Sequence, residues 1–428
     1  MCLRMVKKFP ITIKFLGGTN EVGRSAVAVK TSKVQILLDY GVLMDHEPGF
    51  PMHVPPKEVD AIIATHCHLD HCGAIPMFHI RGHTPVYGNP LTFELAELLI
   101  SDLIHLSGYY LPYEYLDLQS TMKCSVGLAY RKPMKIGDLE LELLNSGHIP
   151  GGAQALLQSA GERILYTSDF NTEKTRLLSG ADLEYGELDA LIIESTYADE
   201  DHENRVELER KFMTRITEVV ERGGTVLVPA FGVGRSQEIT CILAAYHFEY
   251  PVTIDGMAMK TNEILMRYQE YLQDPKLFTD AIRMTNWVHG WKDRRKAAGM
   301  PGVIVAPAGM LKGGAAVFYM QKLAKKKNNA IFLVSYQVPG TPGRELLEKR
   351  MFIINGAAKK VEAEMERFDF SSHCGRQGLC ETVKNVKGTP TVFVIHGAEG
   401  NCQNFARWVE QEVGLKATAP KAGEVFKI

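Results

Sequence analysis

Between Thr65 and Pro76 the chain reads THCHLDHCGAIP, which places His66, His68, Asp70 and His71 inside six positions. Imidazole nitrogen and carboxylate oxygen are metal donors, and this mixture suits zinc, with manganese or iron less well matched. The stretch before it, EVDAIIATH, reads as a buried strand. In extended chain alternate side chains point the same way, so His66 and His68 can share one ion. Asp70 and His71, one turn later, then face a second. The segment CGAIPMF, from Cys72, is expected to begin a helix whose N-terminal dipole lies close to any anion at the metals. A lone histidine is usually a packing or surface residue; four donors this close behind a strand are not. Cys67 and Cys72 lie in the same stretch and are expected to pack as small side chains rather than ligate.

Elements that would position this run can be read on both sides of it. ITIKFLGG, SAVAVKT and KVQILLDYG are short strands punctuated by turns. Helical periodicity dominates from about Leu91 to Leu118, and MKIGDLELELLNSGH and ALLQSAGERILYTSDF predict paired strands. From Asp201 helices and strands alternate. NRVELERKFMTRITEVVERGG and GRSQEITCILAAY predict helices; TVLVPAF, PVTID, GVIVAPAG, AIFLVSY and TVFVIHG predict strands, as in a largely parallel α/β unit.

The 428 residues are 45% hydrophobic and 23% charged, enough for two or three domains with their own cores. No apolar run is long enough for a spanning helix, and MCLRMVKKFPITIKF is too broken for a signal peptide, so no membrane partner is expected. Eight cysteines without a C-x-x-C pair point to free thiols and a cytoplasmic protein. The net charge of −2 excludes a general nucleic-acid footprint, so attraction of a polyanion would have to be local. Three basic runs, YRKPMK, WKDRRK and QKLAKKK, are read as solvated helix faces.

THCHLDH resembles the signature of the metallo-β-lactamase superfamily. The resemblance implies further ligands after later strands, and His148 in NSGHIPGG and Asp169 in YTSDFN occupy matching contexts. His148 would complete a first zinc site with His66 and His68. Asp169 would bridge to a second, held by Asp70 and His71, with Asp70 counted among the catalytic residues too. Asp39 in LLDYG matches the family's early aspartate, which orients ligands rather than binding metal. Two divalent cations between two carboxylates keep positive charge and favour an anionic substrate. A metal pair ~3.5–4 Å apart suits in-line attack at phosphorus.

The second half narrows the resemblance to the β-CASP nucleases. Glu194 in LIIESTYAD, His373 in FDFSSHCG and His396 in TVFVIHGAEGNC stand in the family's order. They imply an αββα sandwich over residues 1–203, completed by 346–428, with an α/β β-CASP domain of 204–345 inserted and the active site in the cleft. His396 would be the remaining ligand of the second ion. His373 would be the general acid toward the leaving 3′ oxygen, a task suited to an imidazole of pKa ~6.5. Glu194 would hold His373 and favour its protonated form. The implied activity is a zinc-dependent ribonuclease (manganese being the other fitting ion) in RNA processing or decay. It would cut single-stranded RNA internally, from the 5′ end, or both, leaving 5′-phosphates. A homodimer is implied by resemblance alone, and nothing matches the extra terminal domains of some members.

GGTNEVGRS mimics a phosphate-binding loop, but Arg24 replaces the lysine and a strand follows, so a hairpin turn is expected. Arg235 in FGVGRSQE is expected to be structural. PAGMLKGGAAV is read as an RNA-backbone cradle, with Gly309, Met310, Gly313 and Gly314 presenting amides before a helix. Two other classes compete: a hydrolase of a small ester or thioester, which needs neither the insertion nor His373, and a catalytically silent RNA-binding subunit, which would have lost ligands.

Overall fold

The computed structural model describes residues 10–44, 47–107, 110–338 and 340–428, and the basic stretch MCLRMVKKF lies outside them. The chain forms two compact units: residues 1–174, 180–201 and 372–428, and residues 175–179 with 202–371.

The first unit opens with β1 (Thr12–Gly17), β2 (Ala26–Lys30), β3 (Gln35–Leu38), β4 (Ala61–Ala64), β5 (Val86–Gly88) and β6 (Ser125–Gly127). It continues with β7 (Met134–Ile136), β8 (Leu139–Asn145), β9 (Ala153–Ser159), β10 (Glu162–Tyr166) and β11 (Glu187–Glu194). The second unit holds β12 (Thr225–Pro229), β13 (Val252–Ile254), β14 (Thr285–Trp287), β15 (Gly302–Ala306), β16 (Ala330–Leu333), the hairpin β17 (Met351–Ile354) and β18 (Ala357–Lys360), and β19 (Glu364–Arg367). The chain then returns to the first unit with β20 (Lys387–Ile395), β21 (Ala417–Thr418) and β22 (Val425–Lys427).

Among the described residues the first unit forms two seven-stranded sheets, in the orders β22-β1-β2-β3-β4-β5-β6 and β21-β20-β11-β10-β9-β8-β7. Alternation along the strands explains their packing. Phe15, Val27, Ile63, Leu141, Ile192 and Phe393 point into one core shared by both sheets. Their neighbours Leu191, Ile193, Val392 and Val394 point the other way, onto Leu379 and Phe405 of the helices Arg376–Asn385 and Glu399–Trp408. This is the expected αββα sandwich.

The second unit is a six-stranded sheet, β14-β13-β15-β12-β16-β19, in which every pairing is parallel. Val252, Val303 and Val305 face one core, and Ile304 and Ala306 the opposite one, as expected for a sheet covered by helices on both sides.

Three local expectations change. The return to the first unit, expected at residue 346, comes at Ser372, because β19 pairs with β16 and Phe368 and Phe370 fill the core around Phe212. The helical stretch near Leu91–Leu118 is two helices, Pro90–Ser107 and Tyr115–Lys123; Pro112 falls between them, and a Glu114–Asp117 capping box starts the second. Helical backbone begins at Leu69 rather than Cys72, so Asp70 and His71 sit inside a single turn, Leu69–Cys72. A turn that short carries no argument from its dipole. GGTNEVGRS is the hairpin joining β1 to β2, and Arg235 is buried at the head of a helix.

Candidate metal centre

β3, β4, β10, β11 and β20 all release the chain at one edge of the sandwich, and the potential ligands follow directly. β3 and β4 are parallel and deliver Asp39 and the run from Thr65. In the facing sheet β10, β11 and β20 are parallel and deliver Asp169, Glu194 and His396. His148 follows β8 through a turn in which Gly147 has φ +68°. Asp39, Ser168 and His396 have φ of +57°, +50° and +49°, an arrangement costly for residues with a Cβ and tolerated where surroundings over-determine it. Every residue of the centre belongs to the first unit.

The donors fall into two groups. His66, His68, His148 and Asp169 bring one donor atom each within 4.8 Å of one another, and so do Asp70, His71 and His396. Asp169 reaches both: Oδ2 lies 3.7 Å from the Nε2 atoms of His66 and His148, while Oδ1 lies 3.4 Å from His71 Nε2 and 3.1 Å from His396 Nδ1. His396 Nε2 is 3.5 Å from Asp70 Oδ2 and 3.3 Å from His71 Nε2. Nitrogens this close, pointed at each other, are costly unless something positive sits between them.

Buried polar atoms normally have partners. Among the described residues His66 Nε2 and Asp169 Oδ1 are buried without a hydrogen bond, and both aim into the space the two groups enclose. Burial and neighbouring imidazoles outweigh Asp169 and keep His66 and His148 well below the usual histidine range; burial lowers His68 to about 4 against the pull of Asp70 and Asp169. These rings are therefore neutral, the form that coordinates. Against the cost of burial, His396, His71 and His373 hold Asp169 ionised. The donor set fits a divalent metal, and such an ion would replace the mutual repulsion of these groups by coordination.

The ligands are held from behind. Asp39 accepts from Thr65 N (2.8 Å), Thr65 Oγ1 (2.8 Å), Tyr166 Oη (3.0 Å) and His71 Nδ1 (2.7 Å), which leaves His71 Nε2 for the centre. His148 Nδ1 donates to Ser372 O at 2.9 Å. Sequence reading missed Thr65, Tyr166 and Ser168, whose hydroxyls brace Asp39 and His66. Their signal was position: each adjoins a ligand or its strand end. It also missed Gly41, where a Cβ would stand 1.8 Å from Asp70 O.

His373 Nδ1 donates to both carboxylate oxygens of Glu194 at 3.1 Å, and its Nε2 lies 4.0 Å from Asp169 Oδ2. Glu194 is fixed in turn by Phe170 N and Thr196 N. Burial opposes charge on His373, but Glu194 and Asp169 outweigh it and raise the imidazole to about 9. Glu194 also lies within ligand distance of Asp169 and His396. Cys67 and Cys72 are buried, Cys72 Sγ donates to Cys67 O, and no candidate metal group contains a cysteine among the described residues.

The cradle residues belong to the second unit. Residues 307–313 link β15 to the helix Gly314–Leu323; buried Gln337 donates to Gly309 O at 3.1 Å, and Gly343 N donates to Met310 O. Gly314 has φ +68°, and a Cβ there would meet Pro307 O at 2.7 Å.

Known families match this arrangement. Residues 28–196 match the metallo-β-lactamase superfamily domain, 236–346 the Beta-Casp domain, and 359–420 the Zn-dependent metallo-hydrolase RNA specificity domain. The chain is 42% identical over 420 residues to RNase aCSPSF2 of Saccharolobus solfataricus, covering 97% of this chain and 85% of that one. It is 35% identical to Probable RNase MJ4 of Methanocaldococcus jannaschii (97% and 100% covered). It is also 35% identical to the transcription termination factor FttA of the same organism (94% and 69%). A crystal structure of a protein of unknown function from Enterococcus faecalis V583 shares the fold, with TM-score 0.65 at 13% identity over 98% of this chain and all of that one. With the donor set, the sandwich and the inserted parallel sheet all in place, the chain belongs to the β-CASP branch of the metallo-β-lactamase superfamily and is a metal-dependent hydrolase.

Proposed function

We propose that this protein is a zinc-dependent ribonuclease that hydrolyses phosphodiester bonds of single-stranded RNA, in RNA processing or decay. The observation that carries this reading is His373, clamped on Glu194 with its other nitrogen turned to Asp169. A proton donor fixed at a metal centre serves a poor leaving group such as the 3′ oxygen of a nucleotide. A thioester hydrolase has less need of one. Two relatives named as RNases support the same substrate class.

His66, His68 and His148 would hold one zinc ion, Asp70, His71 and His396 a second, and Asp169 both. The chemistry these ligands would bring to the site, with ions bound, is Lewis-acid stabilisation of phosphate oxygens and a hydroxide-like water at neutral pH. The chain's own residues supply the rest. His68, Asp70 and His373 are the partly exposed members, which supports substrate entry from their side. His373 Nε2 delivers a proton to the 3′ oxygen as the P–O3′ bond breaks and water oxygen joins phosphorus, leaving a 5′-phosphate. Glu194 keeps the ring oriented through Nδ1–H and favours its protonated state. Asp39 holds His71 in the tautomer that presents Nε2. In the second unit, Gly309, Met310, Gly313 and Gly314 would contact the RNA backbone through their amides.

The test is incubation of the zinc-loaded protein with RNAs carrying a 5′ monophosphate, triphosphate or hydroxyl. Mononucleotides released from the monophosphate alone identify a 5′-to-3′ exonuclease, and internal fragments from all three an endonuclease. Thioester turnover with intact RNA overturns the proposal.

A further inference from the structure

The basic run WKDRRK lies on the short helix Trp291–Ala297, just past the end of β14. A solvated helix face accounts for Lys292, Arg295 and Lys296, which are exposed. It does not account for Trp291, whose large apolar ring is 61% exposed. An exposed ring of that size offers a large flat contact area at little conformational cost.

Nor is the ring loose. Asp255, buried at the end of β13, accepts two 2.7 Å hydrogen bonds from Arg294 and one of 2.8 Å from Tyr319 Oη. Its charge is spent on Arg294, whose guanidinium is thereby locked. The guanidinium carbon stands 5.1 Å from the centre of the Trp291 ring and 5.7 Å from that of Phe318. Phe318 meets Trp291 edge-on at 5.5 Å, and Lys322 Nζ lies 5.8 Å from the Phe318 ring. A half-buried ion pair thus props a largely exposed indole, with exposed cations around it. The helix carries four basic residues against one acid in a chain of net charge −2.

We propose that Trp291, propped by Arg294 and Phe318, is a stacking platform for an unpaired base of a single-stranded nucleic acid, with Lys292, Arg295, Lys296 and Lys322 engaging the flanking phosphates. This rests on the ribonuclease reading above. A flat π-face wants a flat partner, the cations want an anion, and an unpaired nucleotide supplies both; a duplex hides its base faces. A second copy of this chain is a poor occupant, since a two-fold contact would set these cations against themselves. Trp291 and the Gly309–Gly314 loop both leave the C-terminal edge of one parallel sheet, two strand spacings apart at β14 and β15, or ~10 Å. One strand of RNA can therefore touch both.

The experiment compares wild type, Trp291→Ala and Trp291→Phe, all zinc-loaded. The probes are a 5′-fluorescent single-stranded RNA and an oligomer of equal length with an abasic phosphate backbone, followed by anisotropy directly after mixing. Trp291→Ala should weaken RNA binding about tenfold, the scale of one stacked base, leave abasic binding unchanged, and raise KM without lowering kcat. Trp291→Phe should recover most of the affinity. Equal RNA affinity in wild type and Trp291→Ala, or equal loss for both probes, overturns the platform. So does altered sedimentation with unaltered RNA affinity, which would make Trp291 a contact between copies. Failure of the underlying reading looks different: the base-dependent loss persists while wild type leaves RNA uncut.

Discussion

His373 and Asp169 stand 4.0 Å apart and answer to different partners. Asp169 turns one oxygen to His66 and His148 and the other to His71 and His396, so no single group can lose it alone. His373 is held by Glu194 and faces the centre without being needed to close either group. The two substitutions should therefore separate. His373→Ala should cut kcat by ~10²–10⁴, the usual worth of a positioned proton donor, with metal content by mass spectrometry unchanged. Asp169→Ala should empty both sites. Metal loss in His373→Ala, or an active His373→Ala, would remove the proton-donor assignment.

At the scale of elements, the centre depends on strand ends and on the backbone that ties them. Residues 40–42 lie along the helical turn: Tyr40 N donates to His71 O and Val42 N to Leu69 O, both at 2.8 Å. Between them Gly41 leaves no room for a side chain against Asp70 O. Gly41→Ala must push the turn away, at a cost of about 1–3 kcal/mol. We expect a lower Tm by differential scanning fluorimetry and weaker metal retention, although position 41 contributes no donor. Unchanged Tm and metal content would show that the turn is not held by this backbone contact. In the second unit the analogous work is done by Gln337 and Gly343, which anchor the loop before the helix Gly314–Leu323.

At the scale of the whole first unit, the metal would act as a clasp. Asp70 and His71 come from one sheet of the sandwich, Asp169 and His396 from the other. Chelation should thus cost stability as well as activity. A ligand at 100 times its Kd stabilises by ~2.7 kcal/mol, so EDTA should lower Tm measurably and abolish RNA cleavage, and zinc should restore both. Restoration by magnesium and not by zinc would overturn the assignment of the ion.

Much of the site was legible from residue order because chemistry is local. Four donors in six positions need no coordinates to suggest coordination, and resemblance to a known family pointed to His148, Asp169, Glu194 and His396. The paired strands β8 to β10 and the parallel α/β rhythm were equally readable, since each follows from the burial of apolar side chains at a regular spacing. Tertiary structure alone decided the rest. Whether residues 346–371 belong with the insertion turned on β19 finding β16, a pairing across residues far apart in sequence. That Thr65, Tyr166 and Ser168 brace the ligands, and that Gly41 must be glycine, depends on which backbones come within hydrogen-bond reach. Trp291 is the plainest case. Its neighbours in sequence made it part of a basic run; only the buried Asp255, contributed by another strand, shows that it is fixed in place with its ring largely exposed.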